Sequence, residues 1–425
     1  MRPAIIFASL LILLPCFYAE LVQVIHLGRH GARSPNSFEF VPSQYSEKEG
    51  ELTVLGLTQQ FFLGKEMRKR YVEDLKFLSD SFNSSEVLIR SSYKNRTIRS
   101  ALAFVNGLYP QESGVEHDNI YADFIHPENL LPHKNRKHSF DREHMRKIKI
   151  DEEWARTVVD IIAMEGDLHF HATKDDNCPS VEKVLRDLKK SHEMLEMEKY
   201  LTLTLYPQVA ERFGFPIETL NIKRAKSILD IVRCNSFHGK DHPEFDELTL
   251  KLLKATRAFF AYKITLVDEM VRSVSSSKLL KEFLHHTDSI KKNTENTPKF
   301  VFYSGHDTTM ELLFSIFLLE TKIHNEEQYN IIPFSSTVSF EVHRELEHDR
   351  ELGELVEKHY VQMLYNDEPQ FIKWCLGYSC SLEQFHKIIE HHIVHDVEEF
   401  CSAGKIIKDL MSQPECNSEE CMVSA

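Results

Sequence analysis

Two runs of branched and aromatic residues, far apart in the chain, each stop at a glycine one or two residues ahead of a histidine. The first, residues 21–27 (Leu-Val-Gln-Val-Ile-His-Leu), leads into Gly28-Arg29-His30-Gly31-Ala32-Arg33-Ser34-Pro35. The second, residues 299–304 (Lys-Phe-Val-Phe-Tyr-Ser), leads into Gly305-His306-Asp307-Thr308-Thr309. Runs this apolar read as strands buried on both faces, which calls for helices on either side of a parallel sheet. A helical stretch over 52–71, a strand over 86–91 and a helix through Ala101 and Phe104 supply the strand–helix alternation of such a sheet. Residues 338–342 and 360–364 read as later strands.

Between 127 and 243 the character changes to charged, helical segments punctuated by Pro127, Pro132, Pro179, Pro207 and Pro243. Trp154, Val158, Ile161 and Ile162 follow helical spacing, as do Phe245, Leu248, Leu252, Ala255, Phe259 and Tyr262 in a later helix. The expected organisation is an α/β protein with a mixed, mostly parallel sheet flanked by helices. Residues 20–126 and 244–425 form its discontinuous core, and 127–243 an inserted helical cap domain.

Residues 1–19 read as a signal peptide, with Arg2 ahead of a short apolar run and Ala19 near the cut. That run is too short for a stable membrane span, which needs about 20 apolar residues. The expected destination is therefore the secretory pathway, with a secreted or lysosomal product. Acidic side chains outnumber basic ones by 65 to 51. Such a surface repels nucleic acid, so a site for an anionic substrate must bring its own arginines. Of eight cysteines, losing Cys16 leaves seven, an odd number. None lies in a paired C-x-x-C array, which argues against structural zinc. Asn83-Ser-Ser and Asn95-Arg-Thr have the form of glycosylation acceptors.

Ligands in open α/β sheets bind at the carboxyl ends of strands, where His30 and His306 can meet. A neutral imidazole is a competent nucleophile toward phosphorus. Guanidinium forks match phosphate oxygens, so Arg29 and Arg33 suit phosphate binding, with Arg96 or Arg90 as a third candidate. His306 can hydrogen-bond a phosphate oxygen, and Asp307 can protonate a leaving alcohol and then activate water. The expectation is of no cofactor and no metal.

Plainer readings compete. Arg-His-Gly alone is commonly a surface loop, and one arginine is commonly a salt-bridge partner. His391 and His395 lie four apart on a predicted helix, yet no third ligand accompanies them, and a charged helix face accounts for them.

With both motifs in hand, the chain resembles the histidine acid phosphatases of the prostatic and lysosomal type over nearly all its mature length. Residues 29–35 resemble the family's first signature and 303–309 its second. Asn95-Arg96-Thr97 stands in place of an Asp-Arg-Thr segment, which favours Arg96 over Arg90. The resemblance implies His30 as nucleophile, Asp307 as proton donor, and Arg29, Arg33, Arg96 and His306 as phosphate ligands. It also implies a Cys178–Cys401 pair and a local Cys375–Cys380 pair. The usual partner of Cys234 is replaced by serine near Ser335 and Ser336, which leaves Cys234, Cys416 and Cys421 unassigned. The expected activity is hydrolysis of small phosphomonoesters at acidic pH through a phosphohistidine. The alternatives are a narrow phosphatase for inositol phosphates or lysophosphatidic acid, and a non-catalytic phosphate-binding relative. A homodimer is left open.

Overall fold

The structure is a computed structural model. It describes residues 19–40, 42–110, 152–162, 178–261, 269–292, 297–318, 332–348 and 353–402. Residues 1–18, Cys16 among them, lie outside the described residues, as do Cys416, Cys421 and much of the first half of the expected cap.

Among the described residues, eight strands form one mixed sheet: β1 (Glu20–Arg29), β2 (Val87–Ser91), β3 (Val159–Ile161), β4 (Phe300–Gly305), β5 (Thr337–His348), β6 (Leu355–Tyr365), β7 (Glu368–Pro369) and β8 (Ser379–Ser381). Their order is β3-β2-β4-β1-β5-β6-β7, with β8 also paired to β6. The first four run parallel, and β5 to β8 add an antiparallel flank. The α/β expectation holds.

Helices cover both faces. On the first lie α1 (Val54–Met67), which continues as a π-helical turn over Arg68–Asp74, and α2 (Asn95–Leu108). The short α3 (Glu152–Val158) leads into β3. Between β3 and β4 the chain carries α4 (Pro179–Leu188), α5 (His192–Thr204), α6 (Tyr206–Phe213), α7 (Ile222–Phe237) and α8 (Glu247–Ala261). The second face takes α9 (Glu269–Lys291), α10 (Asp307–Phe317) and α11 (Leu382–His391).

The period-two pleat of β4 divides its side chains between two cores. Phe300 and Phe302 pack with Phe62, Met67, Leu102 and Phe104 under α1 and α2. Val301 and Tyr303 join Phe283, Leu313, Phe317 and Phe385 on the opposite side. Burying each such side chain contributes roughly 1.5–3 kcal/mol, which explains the absence of alternation in the sequence.

Helices α5 to α8 have a core of their own around Leu201, Leu205, Val209, Ile228, Leu229 and Leu253. A further cluster surrounds the disulfide between Cys178 at the start of α4 and Cys401 near the C-terminal end of the described chain. Cys375 and Cys380 are also joined, and Cys234 is a buried free thiol.

One element differs from expectation. Ile161 was expected on the helix that carries Val158, but the helix stops at Val158 and Val159–Ile161 pairs with β2 as the sheet's edge. The run Val-Val-Asp-Ile-Ile is β-branched at four of five positions, which suits a pleated surface better than a helix. The sheet thus takes a strand from within the span assigned to the cap.

Candidate active site

Three neighbouring parallel strands end together. Gly28 of β1 and Ser91 of β2 both register with Ser304 of β4, and Arg29 registers with Gly305. The residues that follow these strands therefore converge at one edge of the sheet. His30 follows β1, Ser92 and Arg96 follow β2, and His306 and Asp307 follow β4.

The loop carrying His30 is held by its own backbone. The amide of Arg29 donates to Ser336 O at 2.8 Å, that of His30 to Gly305 O at 3.1 Å, and that of Ala32 to Gln59 Oε1 at 2.7 Å. Gly31 N donates to Ser100 Oγ at 3.2 Å. Gly31 is required for space: a Cβ there would stand 2.2 Å from Gly56 O, at the start of α1. That helix begins at Thr53, whose hydroxyl accepts from Gly56 N and donates to Ala32 O at 3.1 Å.

His30 is buried, and its Nδ1 lies 2.8 Å from Gly31 O. A carbonyl can only accept, so Nδ1 carries the proton and Nε2 keeps its lone pair. Burial, reinforced by the charges of Arg96, Arg29 and Arg33, holds this imidazole well below its ordinary range. His306 caps α10, and its Nε2 lies 3.0 Å from Ser92 Oγ.

The arginines separate by role. Arg33 is buried and gives two hydrogen bonds to Asp230 of α7, at 3.1 and 2.8 Å. Arg96 lines the cavity, drawn down to about 10 by burial and the charge of Arg33, and its Nε has no hydrogen-bond partner. Arg90, the competing candidate, is engaged elsewhere with Glu282 and Asp160. Arg29 lies behind the cavity wall, 1% exposed, over the ring of Phe334 and 3.0 Å from Asp307.

Asp307 opens α10, where the helix dipole favours an anion. Its Oδ2 accepts from Arg29 at 3.0 Å and from Arg257 of α8 at 3.1 Å, and Oδ1 accepts from Thr308 N at 3.0 Å. Burial favours the neutral acid, but the charges of Arg29 and Arg257 overcome it and hold this carboxyl far below its usual range. Asp307 is thus ion-paired with two guanidinium groups.

The cavity measures about 370 Å³. Its sheet side presents His30, Arg33, Arg96, His306 and Asp307. Facing them are Lys223, Lys226, Asp230 and Arg233 of α7, with Arg257 of α8. None of this second wall was singled out from sequence, although 223, 226, 230 and 233 fall at helical spacing on one stripe. Burial and the neighbouring Arg29 and Arg257 draw Arg233 down to about 9, and burial and Arg257 draw Lys226 to about 8. These cations are crowded in a way that an anion would relieve. No cluster of metal-ligating side chains occurs among the described residues. His391 sits 3.7 Å from Glu269 on an exposed face.

The chain is similar to known proteins over most of its length. The family model for the histidine phosphatase superfamily, branch 2, matches residues 36–366, beginning just after Pro35. Lysosomal acid phosphatase of Xenopus laevis is 24% identical over 402 residues, covering 91% of this chain and 80% of that protein. Prostatic acid phosphatase of Mus musculus is 26% identical over 398 residues, covering 90% of each. Among solved structures, the phytase of Citrobacter braakii superposes with a TM-score of 0.58 at 13% identity, over 88% of this chain and 98% of that one.

Proposed function

Since this chain belongs to the histidine phosphatase superfamily, branch 2, we propose that it hydrolyses phosphate monoesters through a phosphoryl group carried on His30. The observation that carries this reading is the fixed tautomer of a buried imidazole, Nδ1–H on Gly31 O, at the wall of a cation-lined cavity.

The chemistry follows from the side chains. A substrate phosphate enters the cavity and its oxygens are held by Arg33, Arg96 and His306. The lone pair of Nε2 attacks phosphorus while the ester P–O bond breaks, and the cations stabilise the charge spread over the equatorial oxygens. The departing oxygen takes a proton from the carboxyl of Asp307. Water then attacks the phosphohistidine and gives its proton to Asp307, which releases phosphate and returns neutral His30. Arg29, 3.0 Å from Asp307, adds its positive charge to both that carboxyl and the phosphate. The acid must be protonated at the outset, so low external pH favours turnover. The incoming phosphate also adds negative charge beside Asp307, which pulls its proton affinity up.

The helical insertion acts as the cap that selects the leaving group. Its α7 faces the cavity with Lys223, Lys226 and Arg233, which favours a narrower second reading: substrates whose leaving group carries a further anionic group. The names of the relatives and two disulfides support passage through the secretory pathway to the lysosome or the exterior. No helix among the described residues is long and apolar enough to cross a membrane.

A pH profile of aryl phosphate hydrolysis by the purified protein tests the proposal. Activity peaking in acid is the expected result; a folded protein inactive at every pH, on aryl and alkyl esters alike, overturns it.

A further inference from the structure

A proton donor must be able to hold its proton, and the contacts on Asp307 favour the carboxylate instead. Both guanidinium contacts fall on Oδ2, and a backbone amide occupies Oδ1. One of the two clamps has somewhere else to go. Arg257 also donates through Nη1 to Glu311 Oε1 at 3.0 Å. Glu311 lies one turn further along α10, 8% exposed, and its Oε2 is buried with no hydrogen-bond partner. An unmet buried carboxylate oxygen is costly, and it stands beside the guanidinium whose second prong rests on Asp307.

We propose that Arg257, held between Asp307 and Glu311, is a positioning residue that governs when Asp307 can carry a proton. It clamps the Asp307 carboxylate at 3.1 Å. When a phosphate ester binds, Arg29 is attracted toward the phosphate, and Arg257 closes on Glu311 as a two-pronged pair. Asp307 Oδ2 is then released to take up the proton it delivers. No bond is made or broken in this step: one hydrogen bond moves from Asp307 Oδ2 to Glu311 Oε2. The inference rests on the phosphatase reading and adds to it a carboxylate–guanidinium–carboxylate relay built across two helices.

The charged groups facing Asp307 come from every element around it. They are Arg29 at the end of β1, His30 and Arg33 after it, Arg96 of α2, Lys226, Asp230 and Arg233 of α7, Arg257 of α8, and Glu311 of its own helix. Burial pushes Glu311 up, with Asp307 adding to the effect and Arg257 opposing it. Replacing Arg257 or Glu311 therefore alters Asp307 in opposite senses. Arg257→Gln removes a cation, so Asp307 keeps its proton to higher pH. Glu311→Gln removes an anion and leaves Arg257 with Asp307 alone, so the proton is lost at lower pH.

The experiment measures the rate of phosphoenzyme formation against pH, by rapid quench at saturating substrate, for glycerol 2-phosphate and for 4-nitrophenyl phosphate. The alkoxide of glycerol needs a proton to leave, whereas nitrophenolate does not. With the glycerol ester, the alkaline limb should move up by about one pH unit or more in Arg257→Gln and down in Glu311→Gln. With the nitrophenyl ester it should stay in place. Unmoved limbs in both variants, or equal shifts with both esters, overturn the inference. Should Arg257→Gln fail to fold by thermal melting, the near-isosteric Glu311→Gln decides alone. A wild-type protein that hydrolyses neither ester overturns the phosphatase reading itself, and a working enzyme with unmoved limbs overturns only the relay.

Discussion

Arg33, two residues after Gly31, and Asp230, midway along α7, meet through two hydrogen bonds of 3.1 and 2.8 Å, with the amide of Asn36 giving Asp230 a third at 2.9 Å. This pair joins the loop after β1 to α7, and both residues line the cavity. Asp230 is held below its ordinary range: burial opposes this, and the charge of Arg33 prevails.

Breaking this pair should loosen both stability and geometry. Asp230→Ala leaves a buried guanidinium unpaired, with an expected cost of about 3 kcal/mol, read as a lower denaturation midpoint. The wild-type contribution has a definite sign. A carboxylate depressed by folding stabilises above its unfolded value and loses that effect as pH falls through the folded one. The stability difference between wild type and variant should therefore persist through mildly acidic pH and shrink only in strong acid. A variant as stable as wild type would remove the pair from the account.

The pH dependence of the nucleophile follows from its burial. His30 has an ordinary value of 6.5, and its surroundings push it well below. It is unprotonated above its folded value, so activity should survive as pH falls through 6.5. The acid limb of kcat/KM should appear only well under that point. Loss of activity centred on 6.5 would show an ordinary, solvated histidine instead.

The cap's cations make a prediction about specificity. A charge-assisted hydrogen bond contributes roughly 1.5–3 kcal/mol, about tenfold or more in kcat/KM. Lys223→Gln with Lys226→Gln should lower kcat/KM by at least about tenfold for esters bearing a second phosphate or carboxylate. Phenyl phosphate, which lacks one, should be little affected. Equal losses on both classes would assign these lysines to the general field of the site.

Much of the centre was legible in the sequence because strand ends carry it. His30, His306 and Asp307 follow two unmistakably buried runs, and β-sheet register then brings them together. Arg96 could be favoured over Arg90 only through a family resemblance; the structure adds the physical reason, since Arg90 is consumed by Glu282 and Asp160. The second wall was illegible for a different reason. Lys223, Lys226 and Arg233 are spaced as an ordinary solvated helix face would be, and nothing local distinguishes a face turned to a cavity from one turned to water. Arg257 lies 50 residues before Asp307 on an amphipathic helix, so its contact with Asp307 was hidden as well.

Gly31 tests how tightly the nucleophile is held. In Gly31→Ala the new Cβ would collide with Gly56 O, 2.2 Å away, so α1 and the His30 loop must separate. Displacement by as little as an ångström costs about 100-fold in rate. We expect a fall in kcat of that order, with the thermal midpoint monitored in parallel. A variant with wild-type kcat would mean that the loop tolerates displacement and that its backbone hydrogen bonds do not set the reaction geometry.

The most direct test of the central claim is to trap the covalent intermediate. Purified protein is mixed with a phosphate monoester labelled with radioactive phosphorus, quenched in alkali within the first turnover, digested and mapped by mass spectrometry. The label should sit on Nε2 of His30, survive alkali, be lost in acid, and be absent from His30→Ala, which should not turn over. Label on another residue, or full hydrolysis by His30→Ala, would contradict the account.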